Sequence, residues 1–120
     1  PILLGDGSEP QPDLLLLRPH PDDYLSAHPQ ARDTLLLIEV ADSTVAFDRK
    51  VKVPLYARHG VPEVWLVVGP QHRHIEVYRD PQPETGSYQT RLRLRQGRLT
   101  PVLLPEVEIR LSEVFISAAP

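Results

Sequence analysis

Asp13, Glu39 and Lys52 are the residues whose types and spacing could do chemistry. Glu39 interrupts the otherwise apolar run TLLLIEVA, and Asp13 directly precedes the four leucines Leu14 to Leu17. Side chains alternate along a strand, so Asp13, Leu15 and Leu17 share one face, and Leu35, Leu37, Glu39 and Ala41 share one face of a second strand. Each acid therefore falls among leucines, where an unpaired carboxylate costs several kcal/mol. Something should compensate Glu39. A divalent cation held jointly by Asp13 and Glu39, and completed by a backbone carbonyl such as that of Val40 and by waters, gives the oxygen coordination that Mg²⁺ takes, with Mn²⁺ as the alternative.

A third component lies downstream. Asp48, Lys52 and Tyr56 recur at i, i+4, i+8 and form a polar stripe beside the apolar stripe Phe47, Val51, Leu55. At that border the stem of Lys52 can cross apolar surface and bring its ammonium to the acids, with Asp48 and Tyr56 in support. A lysine beside a metal-bound water can orient that water and stabilise the charge of an attacked phosphate. Two acids on adjacent strands and one lysine are the minimum set for metal-assisted phosphodiester hydrolysis. Plainer roles compete for each residue: Asp13 capping a turn after Pro12, Glu39 in a strand-edge salt bridge, and Asp48 with Lys52 as a surface pair worth ~0.3 to 0.5 kcal/mol.

The elements that must position these groups can be read from apolar runs and breakers. Leu14–Leu17 and Thr34–Ala41 read as buried strands separated by a proline-rich loop. Asp42, Ser43 and Thr44 offer N-cap chemistry for a helix reaching His59, with Gly60 as its stop and the Phe47, Val51, Leu55 stripe facing the core. Pro54 should kink that helix or split it. Residues 63–69 and 72–79 read as a hairpin of two strands, and residues 88–94 and 98–104 as another with Gln96-Gly97 at its turn. Leu111 to Ile116 reads as a short closing helix. A helix crossing between strands implies a mixed α/β sheet.

Composition narrows the field. With 120 residues, 41% of them hydrophobic, the chain reads as a single domain spanning residues 1–120. Its net charge of −3 creates no global positive field, so any nucleic-acid binding must be local. No apolar run approaches the ~20 residues of a membrane span, so no membrane partner is expected. The absence of cysteine excludes disulfides and thiolate sites and accords with a cytoplasmic location. The absence of methionine, even at position 1, suggests a fragment lacking its N-terminal segment. The 14 prolines lie between apolar runs, as punctuation rather than as a linker.

Three further features of the sequence have both a chemical and a plain structural reading. His72 and His74 form an HxH pair that suits a transition metal in principle but reads better as a solvated strand start. Arg91, Arg93 and Arg95 alternate with leucines, which makes them either a nucleic-acid phosphate ridge or an ordinary exposed sheet face. Trp65 and Tyr56 read as core.

Three stretches carry a resemblance: Pro12-Asp13-Leu14, Ile38-Glu39-Val40-Ala41-Asp42-Ser43-Thr44, and Asp48-x3-Lys52-x3-Tyr56-x3-Gly60-Val61-Pro62-Glu63-Val64-Trp65. Together with His74 to Tyr78 and the closing LPEVEIRLSEVF, they make the chain resemble the Uma-two family of restriction-endonuclease-like proteins, within the PD-(D/E)xK nuclease superfamily. The resemblance implies a restriction-endonuclease-like α/β fold with Asp13 and Glu39 as metal ligands. The superfamily's lysine would stand two residues after the glutamate, where this chain has Ala41. The resemblance implies that it has moved to the following helix, at Lys52 in preference to Lys50. It also implies some sixty further residues upstream. The leading expectation is a Mg²⁺-dependent DNA endonuclease, alone or as a homodimer. The rival is a non-catalytic domain that keeps the fold for self-association or partner binding.

Overall fold

The computed structural model describes residues 1–5, 10–69, 71 and 73–115. Strands β1 (Leu14–Leu17), β2 (Thr34–Ala41), β3 (Glu63–Val68), β4 (His74–Gln82) and β5 (Ser87–Leu94) form one sheet in the order β1-β2-β3-β4-β5. β2 and β3 are parallel and every other neighbouring pair is antiparallel, so the sheet is mixed. The parallel pair requires a crossover, supplied by residues 45–58. This segment runs as α1 (Val45–Phe47), a π turn (Asp48–Lys52) and α2 (Val53–Arg58).

The π turn lies immediately before Pro54. A proline in an unbroken α-helix lacks an N–H and crowds the carbonyl four residues back, and a widened turn at that point relieves both. Pro54 then falls in the first turn of α2, where its missing donor costs nothing. The helix ends as the glycine suggested. Gly60 has φ +76°, its N–H donates to the Ala57 carbonyl at 3.1 Å, and the Val61 N–H reaches back to the Tyr56 carbonyl at 3.1 Å. This is a Schellman cap, and Val61 and Tyr56 are both buried in the core beneath it.

Both faces of the sheet are covered. On one, Leu37, Val64, Leu66 and Tyr78 pack against Val53, Tyr56 and Ala57 of α2, joined by Ile2 and Leu4. On the other, Leu36, Trp65, Ile75 and Val77 lie under Leu99 and Leu111. These last two belong to a small ribbon of β6 (Arg98–Leu99) and β7 (Ile109–Arg110) followed by α3 (Leu111–Val114). Among the described residues no helix is long and apolar enough to cross a membrane.

Several expectations need correction. β5 pairs with β4 and β6 pairs with β7, so Gln96-Gly97 is not the turn of a β5–β6 hairpin. Residues 88–94 match the pleat of β4, which buries Tyr88 against Tyr78. Beyond Leu99, Pro101 and Pro105 break the ladder. The helix is also rotated from the expected setting. Phe47 is 55% and Val51 46% exposed, whereas Asp48 is 2% and Tyr56 0% exposed. The inward stripe is Val45, Asp48, Val53, Tyr56 and Ala57, because the buried acids of the sheet require polar partners from the helix above them. The closing helix is described only to Val114, and Ile116 lies outside the described residues.

Candidate active site

β1 and β2 place Asp13 beside Glu39. Leu14 is opposite Ile38, so the preceding residue of β1 meets the following residue of β2 on the face covered by the helix. The Asp13 N–H donates to Glu39 Oε1 at 3.3 Å, and Asp13 Oδ2 accepts the Val40 N–H at 2.7 Å. Asp13 directly precedes β1, as the sequence has it, but it is exposed rather than buried among the leucines. Glu39 is buried as expected, at 4% exposure.

The crossover helix supplies the compensation for Glu39. Lys52 Nζ is 3.2 Å from Glu39 Oε2, and the Tyr56 hydroxyl donates to the same oxygen at 3.0 Å. Lys52 Nζ also lies 3.5 Å from Asp48 Oδ1, and the Thr44 hydroxyl donates to Asp48 Oδ2 at 3.0 Å. Asp48 with Lys52 is therefore no surface pair: the carboxylate is buried, and its Oδ1 has no hydrogen-bond partner. Lys50 is exposed on the π turn.

The electrostatics follow from these contacts. Burial would lower the Lys52 pKa, but the hydrogen bond and charge of Glu39, joined by Asp48, outweigh it and raise the pKa. The side chain stays an ammonium. Burial first, and then the Glu39 carboxylate, push the Tyr56 pKa well up, so its hydroxyl keeps its proton and serves as a donor.

A second polar cluster occupies the same face. The Arg49 guanidinium forks onto Glu76, with Nε 2.8 Å from Oε1 and 3.0 Å from Oε2. His74 Nε2 lies 2.9 Å from Glu76 Oε2, and the Tyr78 hydroxyl donates to Oε1 at 2.6 Å. Burial alone would raise the Glu76 pKa, but the Arg49, Tyr78 and His74 hydrogen bonds overcome it and bring the pKa to about 2. Tyr78 rises to about 12, through burial and then Glu76. The cluster was missed in the sequence, although HIEVY alternates and its His74, Glu76 and Tyr78 fall on one face. His74 is buried rather than solvated, because it serves Glu76; its HxH partner His72 lies outside the described residues.

The arginine ridge divides. Arg91 lies over the Tyr78 ring, 5.5 Å from its centroid, and Arg93 stands opposite Glu76 in register. Arg95 follows the end of β5 and lines a separate cleft. Trp65 is core, as expected, and its indole N–H donates to Glu63 Oε2 at 2.7 Å.

The donors around Lys52 are oxygens, which suits a hard dication and no soft metal. Among the described residues no group of three or more His, Cys, Asp or Glu side chains is arranged around a common point. A cation here would rest on two carboxylates, with backbone and water oxygens completing its shell. Asp48 Oδ1, buried without a hydrogen-bond partner, is consistent with a positive charge nearby beyond the one that Lys52 provides.

Comparison with known families agrees with the fold. The family model Uma2, described as "Putative restriction endonuclease", matches residues 1–112. No curated protein matches the chain.

Proposed function

The chain belongs to the Uma2 family, and from that premise we propose that it is a divalent-metal-dependent endonuclease that hydrolyses phosphodiesters in DNA. The observation that carries this reading is the Lys52 ammonium, 3.2 Å from Glu39 and 3.5 Å from Asp48 on the sheet face where Asp13 adjoins Glu39. Asp13 and Glu39 would hold Mg²⁺ or Mn²⁺, with the Val40 backbone contributing at the same edge. Bound there, the ion supplies a water of lowered pKa and a Lewis acid for the phosphate oxygens.

The remaining work falls to this chain's own groups. Lys52, with its raised pKa, does not accept a proton at neutral pH. It acts as a fixed positive charge that orients the attacking water and faces the charge developing on the phosphate. Tyr56 holds the Glu39 carboxylate in one orientation, and Asp48 holds the Lys52 ammonium beside it. Water attacks the phosphorus directly and gives up a proton to solvent while the bond from phosphorus to the leaving sugar oxygen breaks and that oxygen takes a proton from solvent, and no side chain forms a covalent intermediate.

The test is calorimetric titration with Mn²⁺. One site is expected, and Glu39→Gln should abolish it while circular dichroism stays unchanged. Undiminished binding in that variant would overturn the assignment of Glu39. A chain that folds but binds no Mn²⁺ and cuts no DNA would favour the non-catalytic rival, in which Lys52 neutralises Glu39 for structure alone.

A further inference from the structure

Four arginines gather at one end of the molecule. Arg73, Arg95, Arg98 and Arg110 line a cavity of about 380 Å³ walled on its apolar side by Leu111 and Phe115. The chain has only 13 Lys and Arg in total and a net charge of −3, so this is a marked local concentration of positive charge. Arg98 pairs with Glu108 at 3.2 Å and Arg110 with Glu113 at 3.7 Å. Both pairs are exposed, and such pairs exchange readily for another anion.

A second cavity of about 390 Å³ continues from the first. It is bounded by Val40, Asp42, Val67 and Val114 and shares Arg73 and Phe115 with the arginine cavity. The two form one groove along the end of the sheet. In register, Ala41 is level with Val68 and Val68 with His74, while Ile75 is opposite Leu94, so β2, β3 and β5 finish and β4 begins at this end. One end of the groove lies at Val40, whose side chain is on the sheet face opposite Glu39 and whose N–H is bonded to the Asp13 carboxylate at the β1 edge. The other end is the arginine cavity.

We infer that this groove carries a nucleic-acid strand, and that Arg73, Arg95, Arg98 and Arg110 form a subsite for its backbone phosphates remote from the scissile bond. The dimensions suit the assignment. From β2 to β5 there are three strand spacings, about 14 Å in all, which matches roughly four nucleotide steps of 3.4 Å along one strand. Guanidinium groups grip phosphate oxygens bidentately and read no base, so the subsite positions the strand without choosing its sequence. Phe115 and Val114 give the sugars and bases an apolar wall. The inference rests on the nuclease reading for the identity of the strand and adds a residue set that reading does not contain.

The experiment is fluorescence anisotropy of a short labelled DNA duplex with the purified chain, in EDTA so that no cleavage occurs, across a salt series. Each phosphate contact contributes about 0.9 to the slope of log K against log salt. The double variant Arg95→Gln/Arg98→Gln should therefore reduce the slope by about 2. Arg18→Gln/Arg58→Gln, away from the groove, should leave it unchanged. A slope indifferent to the first variant, or equally reduced by the second, overturns the subsite. The Mn²⁺ titration is read separately. Loss of the arginine effect with metal binding intact removes the subsite alone, whereas an intact arginine effect in a chain that binds no metal removes the nuclease reading and leaves a DNA-binding groove.

Discussion

At the level of single residues, the distinction between Lys52 and Lys50 is the sharpest that the site makes. The two are separated by one residue on a widened helical turn, so they point to different surroundings; only Lys52 meets Glu39 and Asp48, while Lys50 is exposed. If the Lys52 ammonium faces the charge of an attacked phosphate, Lys52→Ala should slow cleavage by a factor on the order of 10² or more, the scale on which a transition-state charge partner is lost. Mn²⁺ binding should survive, since an ammonium is not a ligand. Lys50→Ala should leave the rate nearly unchanged, and a plasmid-nicking assay on both variants decides it. An essential Lys50 beside a dispensable Lys52 would mean that the ammonium at Glu39 is structural.

At the level of elements, the crossover helix shows why its setting was hard to read from sequence. Phe47, Val51 and Leu55 make a regular apolar stripe, and periodicity alone assigns it to the core. The polar stripe wins because β2 and β4 bury Glu39 and Glu76 beneath the helix. An uncompensated carboxylate there costs more than exposing two apolar side chains. That preference comes from the sheet and has no trace within the helix itself. By contrast, the bounds of β2, the parallel crossover, the β3–β4 hairpin and the Gly60 stop were legible, because apolar runs, breakers and a helix-ending glycine report on local backbone. The β5 pairing was not, since Tyr88 to Leu94 alternates equally well against either neighbour. The rotated helix makes a contrast that thermal unfolding can check. Val51→Lys should alter stability by no more than about 0.5 kcal/mol, the ordinary range for a surface change. Val53→Asp, two residues on, should cost several kcal/mol by burying a carboxylate with no cation assigned to it. Similar losses from both would return Val51 to the core.

At the level of the whole molecule, buried acids neutralised by cations hold the layers in place. Glu39 meets Lys52, and Glu76 meets Arg49, binding the crossover helix to the sheet. On the opposite face Glu63 accepts Arg79 Nε at 2.8 Å and the Val102 N–H at 2.8 Å, anchoring the chain that follows β6. In sequence Glu39 stood out because it interrupts an apolar run, and Asp13 because it directly precedes one. Glu63, at the start of its apolar run, and Glu76, within the alternating HIEVY, interrupt no apolar run, and the arginines that meet them come from 16 and 27 residues away. The Glu76 cluster has a consequence for the stability of the entire fold. Its carboxyl has a pKa of about 2 in the folded state against an ordinary 4.5. A folded pKa held below the unfolded one means that the native state binds fewer protons, so Glu76 stabilises the fold fully above about pH 4.5 and loses that contribution as the pH falls toward 2. Glu76→Gln removes the titrating group and leaves Arg49, Tyr78 and His74 with a neutral partner, so it should lower the melting temperature at pH 7. It should also flatten the fall in melting temperature between pH 4.5 and 2, where the native protein gives up the charged form. The gap between the two proteins should therefore narrow steadily on acidification. A gap that stays constant across that window would show that Glu76 contributes by shape and hydrogen bonding alone, with its charge making no net difference to folding.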